Sequence, residues 1–200
     1  MSTCNTESMT SRPTSDEPGH GAGGVDALVA ALEESQRLGF LGERPMLEAI
    51  DHARAYSDAI RPVAGTVIDL GAGGGLPGLV LAFDRPDLEF VLLDRRAKRT
   101  DYLRRVVRRL GWPDRVAVVC ADAATASQLP EAPFDAVVAR GFGPPRTTLG
   151  MAAPLVADGG RSVISEPPDR NRWDESQIAD LGVRRLEQPD SRVVIFVPAS

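Results

Sequence analysis

The stretch Thr66-Val-Ile-Asp-Leu-Gly-Ala-Gly-Gly-Gly-Leu-Pro-Gly78 decides the fold. It opens as a short apolar run carrying an acid, and glycines follow at 71, 73, 74, 75 and 78. A strand that runs into a glycine turn and then a helix lets the backbone come close to a ligand, with free amides of the helix start pointing at it. Working outward, the same grammar recurs. Residues 66–70, 89–93, 116–120, 134–139 and 161–165 read as short, mostly continuous apolar strands. Helical or mixed segments separate them at 78–83, 97–110, 123–128 and 147–156. Continuous apolar strands alternating with helices predict a parallel sheet covered on both faces. The end differs: 183–187 and 192–197 are separated only by a turn-like link, Gln188-Pro-Asp-Ser191, too short for a crossover helix. The expected fold is therefore α/β, doubly wound and Rossmann-like, with a seven-stranded, mostly parallel sheet closed by an antiparallel hairpin.

Ahead of this core, Val25, Leu28, Val29 and Leu32 recur at helical spacing, and a second helix is expected from about Pro45 to Ile60. Residues 1–24 are Ser, Thr, Pro, Gly and acid with little to bury, and read as a disordered tail. The expected organisation is that tail followed by one domain at 25–200, with leading helices at 25–62 and the sheet core at 63–200. The chain of 200 residues is 42% apolar, ample for one core. No run of about 18 apolar residues predicts a membrane span, and Met1 to Thr10 has no apolar run behind a positive charge, so no secretory signal is expected. Cys4 and Cys120 lie far apart and suggest neither a disulfide framework nor a metal cluster. The expectation is a cytoplasmic, reduced, metal-free protein with no membrane partner.

The net charge of −5 argues against a general nucleic-acid binder. That average hides an asymmetry. Arg95, Arg96, Lys98, Arg99, Arg104, Arg105, Arg108, Arg109 and Arg115 stand against only Asp101 and Asp114 in the same stretch. Leu103, Val106, Val107 and Leu110 supply a buried face for this helix, which leaves its arginines as either a solvated surface or an RNA backbone contact.

Two cofactors compete for the glycine loop. Asp69-x-Gly71-x-Gly73-x-Gly75 is the pattern of S-adenosylmethionine-dependent methyltransferases, whereas Gly73-x-Gly75-x-x-Gly78 formally satisfies the dinucleotide fingerprint. The second match is weak, because any loop so rich in glycine produces it. Asp69 can receive the ammonium of a methionine moiety but would repel a pyrophosphate. Asp122, after the third strand, can accept the adenine amino group. Asp94, closing the second strand, can accept two ribose hydroxyls under either reading. Each acid also has a structural alternative, Asp69 as a cap on the turn and Asp94 or Asp122 as a helix N-cap. A nicotinamide enzyme usually needs a further substrate domain, for which no residues remain.

At this point the residues resemble a family. Ile68-Asp-Leu-Gly-Ala-Gly-Gly-Gly-Leu-Pro-Gly-Leu-Val-Leu-Ala82 and Leu92-Leu-Asp-Arg-Arg-Ala-Lys-Arg-Thr-Asp-Tyr-Leu103 are similar to RsmG, also called GidB, the bacterial 16S ribosomal RNA guanine-N7 methyltransferases. Ala139-Arg140-Gly141-Phe142 resembles the family's Ser-Arg-Ala-Phe segment. The resemblance implies a class I methyltransferase fold, S-adenosylmethionine held by Asp69, Gly71, Gly73, Gly75, Leu76, Gly78, Asp94, Asp122 and Ala123, and a small-ribosomal-subunit RNA as partner. It also implies Lys98 and Arg99 as RNA contacts. Three stretches depart from the family pattern: Asp122-Ala123-Ala124 stands where an Arg-Ala-Glu is usual, Leu47–Arg54 does not match a His-Asp-Ser motif cleanly, and Ser165-Glu-Pro-Pro168 replaces a Lys-Gly.

The chemistry that the residues exclude agrees with that target. Methylating a pyrimidine carbon needs a cysteine nucleophile, and Cys4 lies in the tail while Cys120 ends a buried-looking strand. Methylating an exocyclic amine commonly uses an Asn/Asp-Pro-Pro-aromatic segment, but Arg140-Gly-Phe-Gly-Pro-Pro145 has no amide or acid in place. A phenol would want a base or a metal, and the histidines are His20 in the tail and His52 on a helix. Guanine N7 already owns a free lone pair, so no general base is expected and alignment does most of the work. Arg140, after the fourth strand, is the candidate for substrate positioning, and Phe142 can stack on a base or pack in the core. A small-molecule methyltransferase derived from the same family and an inactive cofactor-binding module stay open as alternatives.

Overall fold

The computed structural model describes residues 22–166, 173–187 and 192–199. Two helices come first, α1 (Ala22–Arg37) and α2 (Met46–Ala59). The core then runs β1 (Thr66–Leu70), α3 (Gly78–Asp84), β2 (Glu89–Asp94), α4 (Ala97–Arg109), β3 (Val116–Cys120), a 3-10 turn at Ala123–Gln128, β4 (Phe134–Ala139) and α5 (Pro145–Ala152). It ends with β5 (Val156–Ser165), α6 (Glu175–Asp180), β6 (Val183–Leu186) and β7 (Val193–Pro198). All seven strands form one sheet in the order β3-β2-β1-β4-β5-β7-β6. The first five are parallel, and β7 lies antiparallel between β5 and β6. The expected hairpin is therefore present, although its link at 188–191 lies outside the described residues, as does the expected tail up to residue 21.

Strand alternation explains the two covered faces. Val67, Leu92, Ala136 and Val138 point into the cluster formed with α1, α2, α3 and α4. Ile68, Leu70, Val91, Leu93 and Val137 point to the other side, against the 3-10 turn and α5. A third cluster, including Leu149, Ile178 and Phe196, seals α5 and α6 onto the antiparallel end. Each fully buried Leu, Val or Phe contributes roughly 1.5–3 kcal/mol, so the doubly covered strands are what hold the loops of the carboxyl edge in place.

The structure departs from the sequence reading in three places. β5 starts at Val156 rather than 161, and its register against β4 shifts between Phe134 and Ala136. The Asp158-Gly-Gly160 turn chemistry inside it serves close packing: a Cβ at Gly160 would stand 2.8 Å from the Asp135 carbonyl oxygen. α5 starts two residues early, at Pro145, where proline's fixed φ suits a first helical turn. α6 was not expected at all; Asp174 caps it by accepting from the amides of Ser176 and Gln177. No helix among the described residues is long and apolar enough to cross a membrane.

Candidate active site

Asp69 shares a strand face with Val67 and so points at the start of α3. Its Oδ2 accepts a 2.9 Å hydrogen bond from the Gly78 amide. Its Oδ1 is buried and has no hydrogen-bond partner. Only 1% of the residue is exposed. Burial pushes its pKa from 3.8 up to about 7, opposed by the Gly78 amide and the charge of Arg140 and assisted by Asp94. Burial thus favours the uncharged acid, and a cation brought beside it would favour the carboxylate.

Asp94 ends β2 at the same edge. Its Oδ2 accepts from the Gly73 amide at 3.0 Å and its Oδ1 from the Arg96 amide at 2.8 Å. The Arg99 guanidinium stands 3.6 Å from Oδ2. The carboxylate thus braces the glycine loop against the start of α4. A carboxylate offers about four lone-pair sites, so acceptor capacity remains for a ligand hydroxyl. The amides of Gly71 and Ala72 both donate to the Leu93 carbonyl, completing the turn.

These elements enclose a cavity of about 410 Å³. Gly71, Leu93, Asp94, Arg95, Arg96 and Arg99 form one side of it, Ala121, Asp122 and Ala123 the far end, and Gly141, Phe142 and Met151 the other side. Of the residues expected to hold a cofactor, Gly71, Asp94, Asp122 and Ala123 line this space. Asp69, Gly73, Gly75, Leu76 and Gly78 stand behind it and shape the loop. Added Cβ atoms at Gly75 and Gly78 would lie 2.4 Å from Leu79 and from Leu92 respectively, so Gly75 lets the loop pack against α3 and Gly78 lets α3 pack against the sheet. Asp122 also caps its 3-10 turn, accepting from the Ala124 amide at 3.0 Å. The capping and ligand readings of this acid are compatible, since its second oxygen carries no bond from the turn.

The expected RNA contacts are divided by the structure. Arg99 lines this cavity, whereas the neighbouring Lys98 is exposed and does not. Phe142 is half-buried and lies on the loop backbone: a Cβ at Gly71 would come within 2.8 Å of its ring. It is a wall of the cavity. Arg140 is half-buried and makes no hydrogen bond or ion pair to any described residue. Burial lowers its pKa, the charges of Tyr56 and Asp69 raise it, and that of Arg44 lowers it further. Arg140 is thus a cation at the carboxyl edge whose donors are not spent on any of the described residues.

Two positioning residues carry no signal in the sequence. Ser35 of α1 is fully buried and its Oγ donates to the Gly74 carbonyl at 2.8 Å. Tyr56 of α2 donates to the Ala139 carbonyl at 3.1 Å, holding α2 over the end of β4 and the base of Arg140. Each joins segments far apart in the chain, and no local motif could have found either.

With this geometry in hand, the likenesses to other proteins are consistent. The model of the family described as GidB, rRNA small subunit methyltransferase G, matches residues 30–168. A ribosomal RNA small subunit methyltransferase G of Kineococcus radiotolerans is 39% identical over 132 residues, 66% of this chain and 50% of the relative. Its namesake from Clavibacter michiganensis is 32% identical over 166 residues, 81% of this chain and 75% of that protein. Over the first of these relatives the chain spans about half their length. An SAH-bound methyltransferase of Podospora anserina shares the fold with a TM-score of 0.62 at 17% identity, over 86% of this chain and 88% of that one.

Proposed function

The chain belongs to the rRNA small subunit methyltransferase G (GidB) family, and we propose that it transfers a methyl group from S-adenosylmethionine to guanine N7 of 16S ribosomal RNA. One observation carries the reading: the buried Asp69 carboxylate, whose Oδ1 has no partner, beneath a glycine loop that opens on the 410 Å³ cavity. That donor set suits a ligand with an ammonium at one end and a ribose and adenine beyond it. Asp69 would receive the ammonium, Asp94 the ribose hydroxyls, and Asp122 with Ala123 the adenine.

When bound, the cofactor would supply a sulfonium methyl group, whose carbon a nitrogen lone pair would attack while the carbon–sulfur bond breaks and its electron pair stays on sulfur. The protein's share is to bind and orient. Guanine N7 brings its own lone pair, so no side chain has to remove a proton before transfer. Arg140 would donate to guanine O6 or to a nearby phosphate, and so hold the ring for transfer. Phe142 and Met151, which line the cavity, would shield the reacting atoms from water. Well-oriented reactants gain roughly 7–11 kcal/mol in favourable cases, which is where a site without a base finds its rate. A ribosomal RNA substrate puts the reaction in the cytoplasm.

Transfer of tritiated methyl groups to undermethylated 30S subunits and to naked 16S RNA tests the reading. Label in the RNA, recovered as 7-methylguanosine after nuclease digestion, is the expected result. Cofactor binding without label in either RNA would overturn it.

A further inference from the structure

A second hollow has a volume of about 510 Å³. Arg44, Leu47, Glu48, Asp51, His52 and Arg192 line it. Its position follows from two contacts. Tyr56 holds α2 over the last residue of β4, and Arg192 precedes Val193, which pairs with Ser165 at the end of β5. The hollow therefore lies on the carboxyl edge of the sheet, on the β4, β5 and β7 side, while the first cavity lies over β1, β2 and β3 and reaches the loop after β4 through Gly141 and Phe142. Arg140 joins the two: it follows Ala139, whose carbonyl Tyr56 of α2 holds, and precedes Gly141, which lines the first cavity.

Three features of this hollow suit one ligand chemistry. Arg44 is exposed and makes no hydrogen bond or ion pair through its side chain among the described residues, so with Arg140 it offers unspent guanidinium donors. Leu47 is 74% exposed, an apolar side chain standing among charges. His52 offers a half-buried ring, and burial followed by the charges of Arg140, Arg44 and Arg192 lowers its pKa, with Asp51 opposing, which favours the uncharged imidazole. Arg192 is held by Asp51. Of the acids in the same wall, Asp51 is paired with Arg192, and Asp51 and Glu48 are both acceptors for base N–H groups. Donors for a phosphodiester, an apolar and a flat face for sugar and base, and acceptors alongside make up a nucleotide site.

We infer that this hollow holds an RNA nucleotide flanking the methylated one, its phosphodiester against Arg44 and Arg140 and its sugar and base along Leu47 and the His52 ring. The inference rests on the RNA reading above. It gives α2 a role in choosing the substrate.

Methyl-transfer kinetics on 30S subunits with Arg44→Ala and Leu47→Asp, alongside Arg54→Ala as a control on the same helix, test it. Arg44 and Leu47 are exposed, so melting temperatures should match the wild type. The expected result is a KM for RNA raised about tenfold in each, an RNA-binding salt slope reduced by about one in Arg44→Ala, and unchanged cofactor affinity. If the wild type methylates RNA and both variants keep its KM and salt slope, the flanking-nucleotide site is wrong and the methyltransferase reading stands. If the wild type neither binds nor labels RNA, both fall together.

Discussion

The hydroxyl of Ser35, buried in α1, donates to the carbonyl of Gly74 at 2.8 Å, so the cofactor loop is held from the side of the leading helices. A Cβ at Gly74 would collide with this same hydroxyl at 2.3 Å and with Leu41 at 2.6 Å, which shows how closely the two segments meet. Ser35→Ala should therefore destabilise by about 1 kcal/mol, the usual net value of a buried hydrogen bond, and lower Tm by roughly 2–4 °C for a chain of this size. The freed loop should also bind S-adenosylmethionine more weakly in titration calorimetry. Unchanged Tm and affinity would mean that the contact positions nothing.

Gly78→Ala tests the other side of the loop. The new methyl would stand 2.4 Å from Leu92 and 2.6 Å from Asp69 Oδ2, displacing the bond between Asp69 and the Gly78 amide. Overpacking of this kind costs about 1–3 kcal/mol. Gly111→Ala has nothing within 4 Å and suffers only from its φ of +76°, which costs about 1 kcal/mol. Thermal melts should rank Gly78→Ala below Gly111→Ala, and only the former should lose cofactor binding.

Asp69 predicts a pH dependence with a defined sign. Its pKa is raised in the fold, so the ionised form is the costly one. The cost is absent below about pH 4, grows as pH rises from 3.8 to about 7, and is fully present above that. In the ligand-free protein, Asp69→Asn should gain stability over the wild type progressively across this interval. A bound ammonium reverses the balance, because it favours the ionised carboxylate. Cofactor affinity should rise with pH up to about 7, then fall as the ligand's own amino group loses its proton at roughly 7.7–8.0. Calorimetry across pH 5.5–8.5 checks this, and a flat wild-type profile would remove Asp69 from the ammonium site.

Much of this was legible in the sequence because it is local. The strand-to-glycine-loop transition, the acids at 69, 94 and 122, and the arginine after β4 all lie within motifs a few residues long. What was not legible is pairing at a distance. Asp69 and Asp94 were read as ligand acids, and the structure adds that each first accepts a loop amide, from Gly78 and Gly73. Ser35 and Gly74 are separated by 39 positions, and Tyr56 and Ala139 by 83. Arg44 and Arg192 meet in one hollow only because β7 turns back beside β5. Phe142, read as able to stack on a base or to pack in the core, follows β4 directly onto Gly71 and lines the cavity there.

The arginines of α4, read from the sequence as one patch, are not equivalent in the fold. Arg104 pairs with Asp101 at 2.9 Å and donates to the Val118 carbonyl at 3.2 Å, tying the helix to β3. Arg109 reaches Glu34 of α1 at 3.3 Å, and Arg105 lies over the Tyr102 ring at 5.7 Å. Lys98 and Arg108 are exposed and form no hydrogen bond or ion pair through their side chains among the described residues. Charge reversal at Lys98 and Arg108 should therefore weaken RNA binding and flatten its salt dependence by about two phosphate contacts, with no loss of Tm. Reversal at Arg104 should instead lower Tm, because it strips a partner from Val118 and sets two acids side by side. Binding isotherms at several salt concentrations, run beside thermal melts, separate the two. If the Lys98 and Arg108 variant binds RNA with the wild-type slope, this face of α4 is merely solvated and the RNA is held over β4 and β5 instead.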